Sequence, residues 1–456
     1  MPIIEADMPK FLFILIIFLV FSPVYGFDLP VSKISDDSQL RLNLLNTWLL
    51  EVPARVVSLP ARTEILGSGE RVEVSISEGR EIFNIRFSRE LMRGTSLSNR
   101  RATGSFPGTA QGSWILTRRK DNGEGTQIRI FLRSDQNTFI QFRPFSKDKS
   151  FFDVVLYGGY IAQSVPIALS FERLYTMQLN DILKLVENKF PVRYFEPDIP
   201  SYREHRSLIT NIREKTAPLR FTDDGAIDEN GNYVFIKTLS SQNNSTAGLN
   251  CSGYTKWLID GILRPVTGNR LNIEQLKAPF GKRGSSFTEF CEESRDVFFG
   301  LDWIRNLASE ANKTLRSPAY GVLEEFEVRE ENFASIMINQ NRNIVTNSYT
   351  SFMPEAGYGI EGLHPLLYTL AIDEPFNFYL AAVSNEIRGT QQQPRNPPLR
   401  QYYHIAALFP YFDENGNFNI AVFESAAETS FSDFRRRYPL HHVNLVKIPV
   451  TPTFDP

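Results

Sequence analysis

The feature that most restricts what this chain can fold into is a long stretch in which the hydrophobic period is two. From Val56 to about Phe171, Val72, Val74 and Ile76 alternate with charged or small residues, and Phe83, Ile85 and Phe87 do the same across the turn Ser77-Glu78-Gly79-Arg80. Such alternation turns one face of a strand to a core and the other to water. A second pair, 113–117 and 126–133, is joined by the turn from Lys120 to Gly125, and 138–142 supplies the next strand. The pattern predicts an antiparallel β domain, preceded by a short helix over 38–50 behind the cap signal Asp36-Asp37-Ser38 and followed by an amphipathic helix over 174–189.

The chain has 456 residues, of which 42% are hydrophobic, so it can bury more than one core and a second domain is expected. Pro191, Pro197 and Pro200 interrupt regular structure, which sets a linker at 191–220 between a β-rich domain over 27–190 and a second domain over 221–456. Ahead of both lies the apolar run Phe11 to Phe21, 11 residues long. A bilayer core of about 30 Å takes about 20 residues to cross, so this run has the size of a signal-peptide core instead. Val24 and Gly26 leave a small-residue cleavage site before Phe27, so residues 1–26 read as a signal peptide. The mature chain is then exported, periplasmic or extracellular, with no transmembrane segment after cleavage.

The net charge of −3 excludes a chain built around nucleic acid, yet residues 80–149 carry 14 Lys plus Arg against 6 Asp plus Glu. A basic β domain of this kind would suit an anionic envelope polymer as partner.

Two cysteines and five histidines make the search for chemistry exhaustive. Cys251 follows the small, polar loop Thr246-Ala247-Gly248-Leu249-Asn250 and opens a helix whose apolar face is Tyr254, Trp257, Leu258 and Ile262. First-turn amides and the helix dipole favour a thiolate there and can hold an oxyanion. The alternative is a disulfide to Cys291, natural in an oxidising compartment. His404 opens the strand Tyr402 to Phe409, which turns at Asp413-Glu414-Asn415-Gly416 and returns from Phe418 to Phe423. With Gly416 left-handed in a type I turn with a bulge, Ala406 faces Glu424, and His404 and Glu424 share one face. A two-residue Asn415-Gly416 turn would put Glu424 on the other face. His364, before Pro365, is expected at a turn or strand edge, and His205 in the charged linker. His441 and His442 would project to opposite sides of a closing strand, and no His-Glu-x-x-His occurs, so neither a metal nor another cofactor is expected.

Asn250-Cys251-Ser252-Gly253-Tyr254 at a helix start, with a distant His404 opening a β-hairpin, resembles the NlpC/P60 group of papain-like cysteine peptidases. Tyr233, in Asn232-Tyr233-Val234-Phe235, resembles the tyrosine that this group carries near its oxyanion site. Asn250 stands where the group usually has Asp, and Glu424 where it more often has His; 153 positions separate Cys251 from His404. The resemblance implies an α+β fold, with the antiparallel β domain followed by a papain-like domain that holds a large insertion at about 263–356. It implies Cys251 as nucleophile, His404 as base, Glu424 as its orienting partner, and Tyr233 or Gln242 with the Cys251 amide at the oxyanion. The substrate class it implies is a peptide or amide bond, in cell-wall peptidoglycan. Two further readings use the same residues: a non-catalytic envelope binding or assembly protein stapled by Cys251–Cys291, and an acyltransferase.

Overall fold

The computed structural model describes residues 31–91, 104–187, 192–281, 298–329, 335–338, 344–347, 352–353, 356–389 and 394–456. The expected signal peptide and Cys291 lie outside these residues. Among the described residues no helix is long and apolar enough to cross a membrane.

The alternating segment forms an eight-stranded antiparallel meander. Its strands are β1 (Arg62–Ile65), β2 (Arg71–Glu78), β3 (Ile82–Arg89), β4 (Trp114–Arg119), β5 (Gly125–Ile130), β6 (Phe139–Ser146), β7 (Lys149–Leu156) and β8 (Gly159–Ile167). Val74 pairs with Phe87 and Ile76 with Ile85, so the apolar set of each strand meets that of the next on one face. Three helices cover that face: α1 (Ser38–Asn43), α2 (Pro53–Val56) and α3 (Leu179–Glu187), the last burying Leu179, Ile182, Leu183 and Val186. Arg41 is buried and ties α1 to the chain before α3, donating to Asp37 and to the carbonyls of Tyr175 and Met177.

Part of the basic excess of this region is used inside it. Arg89 is buried and donates to Glu70 at 2.6 Å; Arg118 is buried and donates to the carbonyls of Gly123 and Glu51; Arg143 pairs with the buried Asp153 at 2.8 Å. These cations complete the fold's own hydrogen bonds and are not free for an anionic partner.

The segment expected as a linker is part of the core. Helix α4 (Arg203–Thr216) buries Leu208, Ile209 and Ile212 against the second half of the chain. Ahead of it, Tyr202 donates to the Ala371 carbonyl and Tyr194 to Asp373. Short 3-10 turns, Val192–Phe195 and Ile199–Tyr202, occupy this stretch, and their aromatic residues anchor it to the second half of the chain. After α4 come the short hairpin β9 (Gly225–Ile227) and β10 (Tyr233–Phe235), then helices α5 (Cys251–Thr267), α6 (Ile273–Leu276), α7 (Phe299–Leu315) and α8 (Leu323–Phe326). Strands β11 (Ser335–Ile338) and β12 (Ile344–Asn347) then extend the first sheet, β11 lying parallel to β8.

The second sheet has six strands in the order β13-β18-β14-β15-β16-β17, all antiparallel. They are β13 (Tyr358–Gly359), β14 (Asn377–Gly389), β15 (Pro394–Phe412), β16 (Phe418–Glu424), β17 (Ala427–Thr429) and β18 (His442–Pro449). Both faces are covered. Phe378, Leu380, Ile405, Ala407 and Phe409 pack with α5 and α7, whereas Tyr379, Ala381, Ala406 and Leu408 pack with α9 (Leu363–Asp373) and α10 (Phe431–Arg437). The span expected as an insertion, 263–356, therefore includes an essential layer: α7 places Trp303, Ile304, Leu307 and Ala308 on the sheet.

The two halves meet in an apolar junction. Tyr368, Ala371 and Phe412 belong to the apolar cluster of the first sheet, and the buried Arg133 donates to the Gly416 carbonyl at the tip of the β15–β16 hairpin. His364 lies at this junction in the first turn of α9, not at a turn or strand edge, stacked on Tyr157 at 4.1 Å and near Phe418 and Phe431. Burial pushes it from 6.5 to about 3, and burial likewise pushes His205, in α4, to about 4. Both stay neutral in the fold while the unfolded chain takes up protons below about pH 6.5, so stability falls as pH drops from there toward 4. Replacing His364 with Phe should flatten that fall, measured as urea midpoints across the window; an unchanged slope would contradict the assignment.

Candidate active site

Helix α5 starts at Cys251 because Asn250 caps it. Asn250 has an extended backbone, and its side-chain oxygen accepts the Gly253 amide at 2.8 Å. An asparagine thus caps here as the usual aspartate would, without its charge. The amides of Cys251 and Ser252 have no acceptor within the helix and face outward at its positive end.

Glycine lets this helix end lie directly on backbone. A Cβ on Gly253 would sit 2.0 Å from the Gly225 carbonyl oxygen, and one on Gly225 would sit 2.2 Å from that of Gly248. The Asn250 amide donates to the same Gly225 carbonyl at 2.9 Å. From the sides, the Trp303 indole donates to the Ser252 carbonyl at 3.0 Å and Tyr254 bonds Thr216 of α4 at 2.7 Å. The start of the helix is held from three directions.

The β15–β16 hairpin delivers the histidine. Asp413 and Asn417 close it at 2.9 Å with Gly416 left-handed at φ 80°, and Ala407 pairs with Phe423. That register puts Ala406 opposite Glu424 and brings the His404 Nε2 to 2.6 Å from Glu424 Oε2. Against β14, His404 faces Val383 while Tyr402 faces Ser384, so Tyr403 is the bulged residue beside the histidine. β16 stops at Glu424 because Ser425 and Ala426 both turn left-handed, at φ 48° and 60°. Neither is glycine, so this two-residue turn stores strain next to the site.

Cys251 is a free, partly exposed thiol that lies beside His404 and, at 4.0 Å, the Ser252 hydroxyl. Since Nε2 of His404 is engaged by Glu424, Nδ1 is the nitrogen left for the sulfur. Burial pushes the thiol up; the hydrogen bond and charge of His404, the Ile405 amide and the Ser252 hydroxyl outweigh it and leave the thiol below its ordinary value. The whole set is a thiol with a lowered ionisation point, an imidazole to exchange its proton, and a buried carboxylate to fix the imidazole.

The oxyanion candidates separate. Gln242 is buried and fully used: its amide nitrogen donates to the Val234 and Gly248 carbonyls at 2.7 and 3.1 Å, and its oxygen accepts the Gly248 amide at 2.9 Å. It clamps the loop before α5 and has no donor left for an oxyanion. Tyr233 sits half-buried on β10, in the same apolar cluster that Cys251 borders, and its hydroxyl makes no hydrogen bond among the described residues. His205 bonds the Asn377 carbonyl and His441 the Pro439 carbonyl; His364 is held in the aromatic junction.

Two residues beside the site went unnoticed in the sequence. Arg437, the last residue of α10, donates to the second oxygen of Glu424, and the Tyr438 ring stacks on His404 at 5.3 Å and 29°. Ser430 caps α10 through the Asp433 amide at 3.0 Å, a readable helix start, but nothing in Arg435-Arg436-Arg437-Tyr438 shows which residue turns toward β16.

A family model described as a domain of unknown function (DUF8515) matches residues 30–194, which span the eight-stranded meander and its covering helices. No curated protein matches the chain significantly, and no solved structure does.

Replacing Gly253 with Ala should cost at least about 2 kcal/mol, since the new methyl meets backbone that cannot step aside. Urea unfolding at pH 7 measures it; a loss below about 0.5 kcal/mol would mean that the helix end does not rest on β9 as described.

Proposed function

We propose that the chain is an exported cysteine hydrolase of the papain-like, NlpC/P60 kind, cleaving peptide or amide bonds in cell-wall peptidoglycan. The observation that carries this reading is the His404–Glu424 hydrogen bond at 2.6 Å beside the free sulfur of Cys251 at the start of α5, with His404 lowering the thiol. The six-stranded antiparallel sheet with a cysteine-bearing helix on one face supports the papain-like assignment, and the apolar run ahead of Phe27 supports export. The uncombined thiol favours an enzyme over a stapled binding protein.

In this reading the Cys251 thiolate attacks the carbonyl carbon while His404 holds the proton. The oxygen takes the charge and is met by the Cys251 amide and the Tyr233 hydroxyl. Collapse breaks the C–N bond as His404 protonates the leaving amine, which gives a thioester on Cys251. His404 then takes a proton from water, water attacks the thioester, and the carboxylic acid leaves with the thiol restored. Glu424 keeps its charge throughout and holds the imidazole in place.

Incubating the protein with peptidoglycan peptides and weighing the products by mass spectrometry tests this. Cys251→Ala should abolish release of a new amine, and His404→Gln should lower kcat by roughly 10²- to 10⁴-fold. Cleavage that survives Cys251→Ala would refute the proposal.

A further inference from the structure

We propose that Arg437 is the positioning residue that holds Glu424 in place for His404, so that the site works as a four-membered series reaching from α10 through β16 and β15 to α5. This rests on the reading of Cys251 and His404 given above.

Glu424 is buried and has two oxygens to satisfy. Oε2 accepts from His404 at 2.6 Å and Oε1 from the Arg437 guanidinium, which also donates to Thr429 of β17 at 3.3 Å. A buried carboxylate bonded at one oxygen only would be poorly solvated and free to rotate about its side-chain torsions. The second, charged bond fixes both the charge and the plane of the group, and through Nε2 it fixes the plane of the imidazole. Arg437 lies over the Tyr438 ring at 5.5 Å, and that ring stacks on His404, so the histidine is clamped through its edge by Glu424 and through its face by Tyr438.

The groups around the pair are few. Cys251 comes from α5, Tyr403 from β15, Tyr438 and His441 from the turn into β18, and Thr429 from β17; Glu428, next along β17, is already paired with Arg213 of α4 at 2.7 Å. Among the described residues Arg437 is the arginine or lysine in direct contact with Glu424, and its side chain is 45% exposed, so replacing it removes little packing.

The test follows alkylation of Cys251 by iodoacetamide between pH 5 and 9, read at the level of the Cys251 peptide so that Cys291 is counted apart. For Arg437→Gln the rate at pH 6 should fall about tenfold, the equivalent of a one-unit rise of the thiol, with the urea midpoint held near that of the wild type. Arg437→Lys, which keeps the charge, should restore most of the rate. Adding Arg437→Gln to Glu424→Gln should change nothing further, because the arginine acts through the carboxylate. If the wild-type thiol is activated and loses that activation in His404→Gln, but Arg437→Gln matches the wild type or adds its full effect to Glu424→Gln, this proposal is overturned while the site reading stands. If the wild-type thiol titrates as an ordinary cysteine and ignores His404→Gln, the site reading itself fails. Should Arg437→Gln not fold, a lysine variant as slow as a glutamine one was expected to be also overturns the proposal.

Discussion

Everything at the candidate site depends on a backbone-to-backbone contact between the start of α5 and β9. With no side chain at Gly253 or Gly225, the helix end drops onto the hairpin and the Gly225 carbonyl takes the Asn250 amide. This height sets where the sulfur stands relative to β15. A helix resting on even one methyl group would carry the thiol away from His404 and from the Ile405 amide, both of which lower it. Close packing makes such a contact a hard constraint, because neither backbone can yield as a side chain would.

The second requirement is the sheet that delivers the histidine. Two local devices aim it: the bulge at Tyr403 on the β14 side, and the strained Ser425-Ala426 turn that ends β16 at Glu424. The far end of the same hairpin is fixed by Arg133, which reaches from the first sheet to the Gly416 carbonyl. The β-rich half therefore does more than precede the site in sequence. It buttresses the hairpin that carries both His404 and Glu424, which explains why the aromatic residues between 194 and 202 are buried instead of forming a mobile link.

Much of this was legible in the sequence because it was local. Period two in Val72–Val74–Ile76 and Phe83–Ile85–Phe87 gave the meander, and the small loop before Cys251 gave the start of α5 with its apolar face. The position of Glu424 turned on a single residue, Gly416, whose left-handed backbone chooses between two registers; the alternatives were readable, the choice between them was not. What stayed hidden was non-local. The prolines near 191–200 look like a linker until Tyr194 and Tyr202 are seen bonding α9, and α7 looks like inserted chain until Trp303 is seen under Ser252. Gln242 had the right chemistry for an oxyanion donor, yet its amide is consumed by its own loop, a fact no spacing rule contains. Arg437 was hidden for a related reason, since only the packing of α10 decides which arginine of the three meets Glu424.

The account stands on the thiol of Cys251 being ionised by His404. Thiolate absorbs near 240 nm, so the difference in absorbance between the wild type and Cys251→Ser, followed from pH 4 to 10, reads the ionisation of this one sulfur without substrate. The account predicts that the signal develops at lower pH than that of an ordinary cysteine and moves up into the ordinary range in His404→Gln. A signal that first appears near pH 8.5, as for a free cysteine, and does not move when His404 is replaced would contradict it.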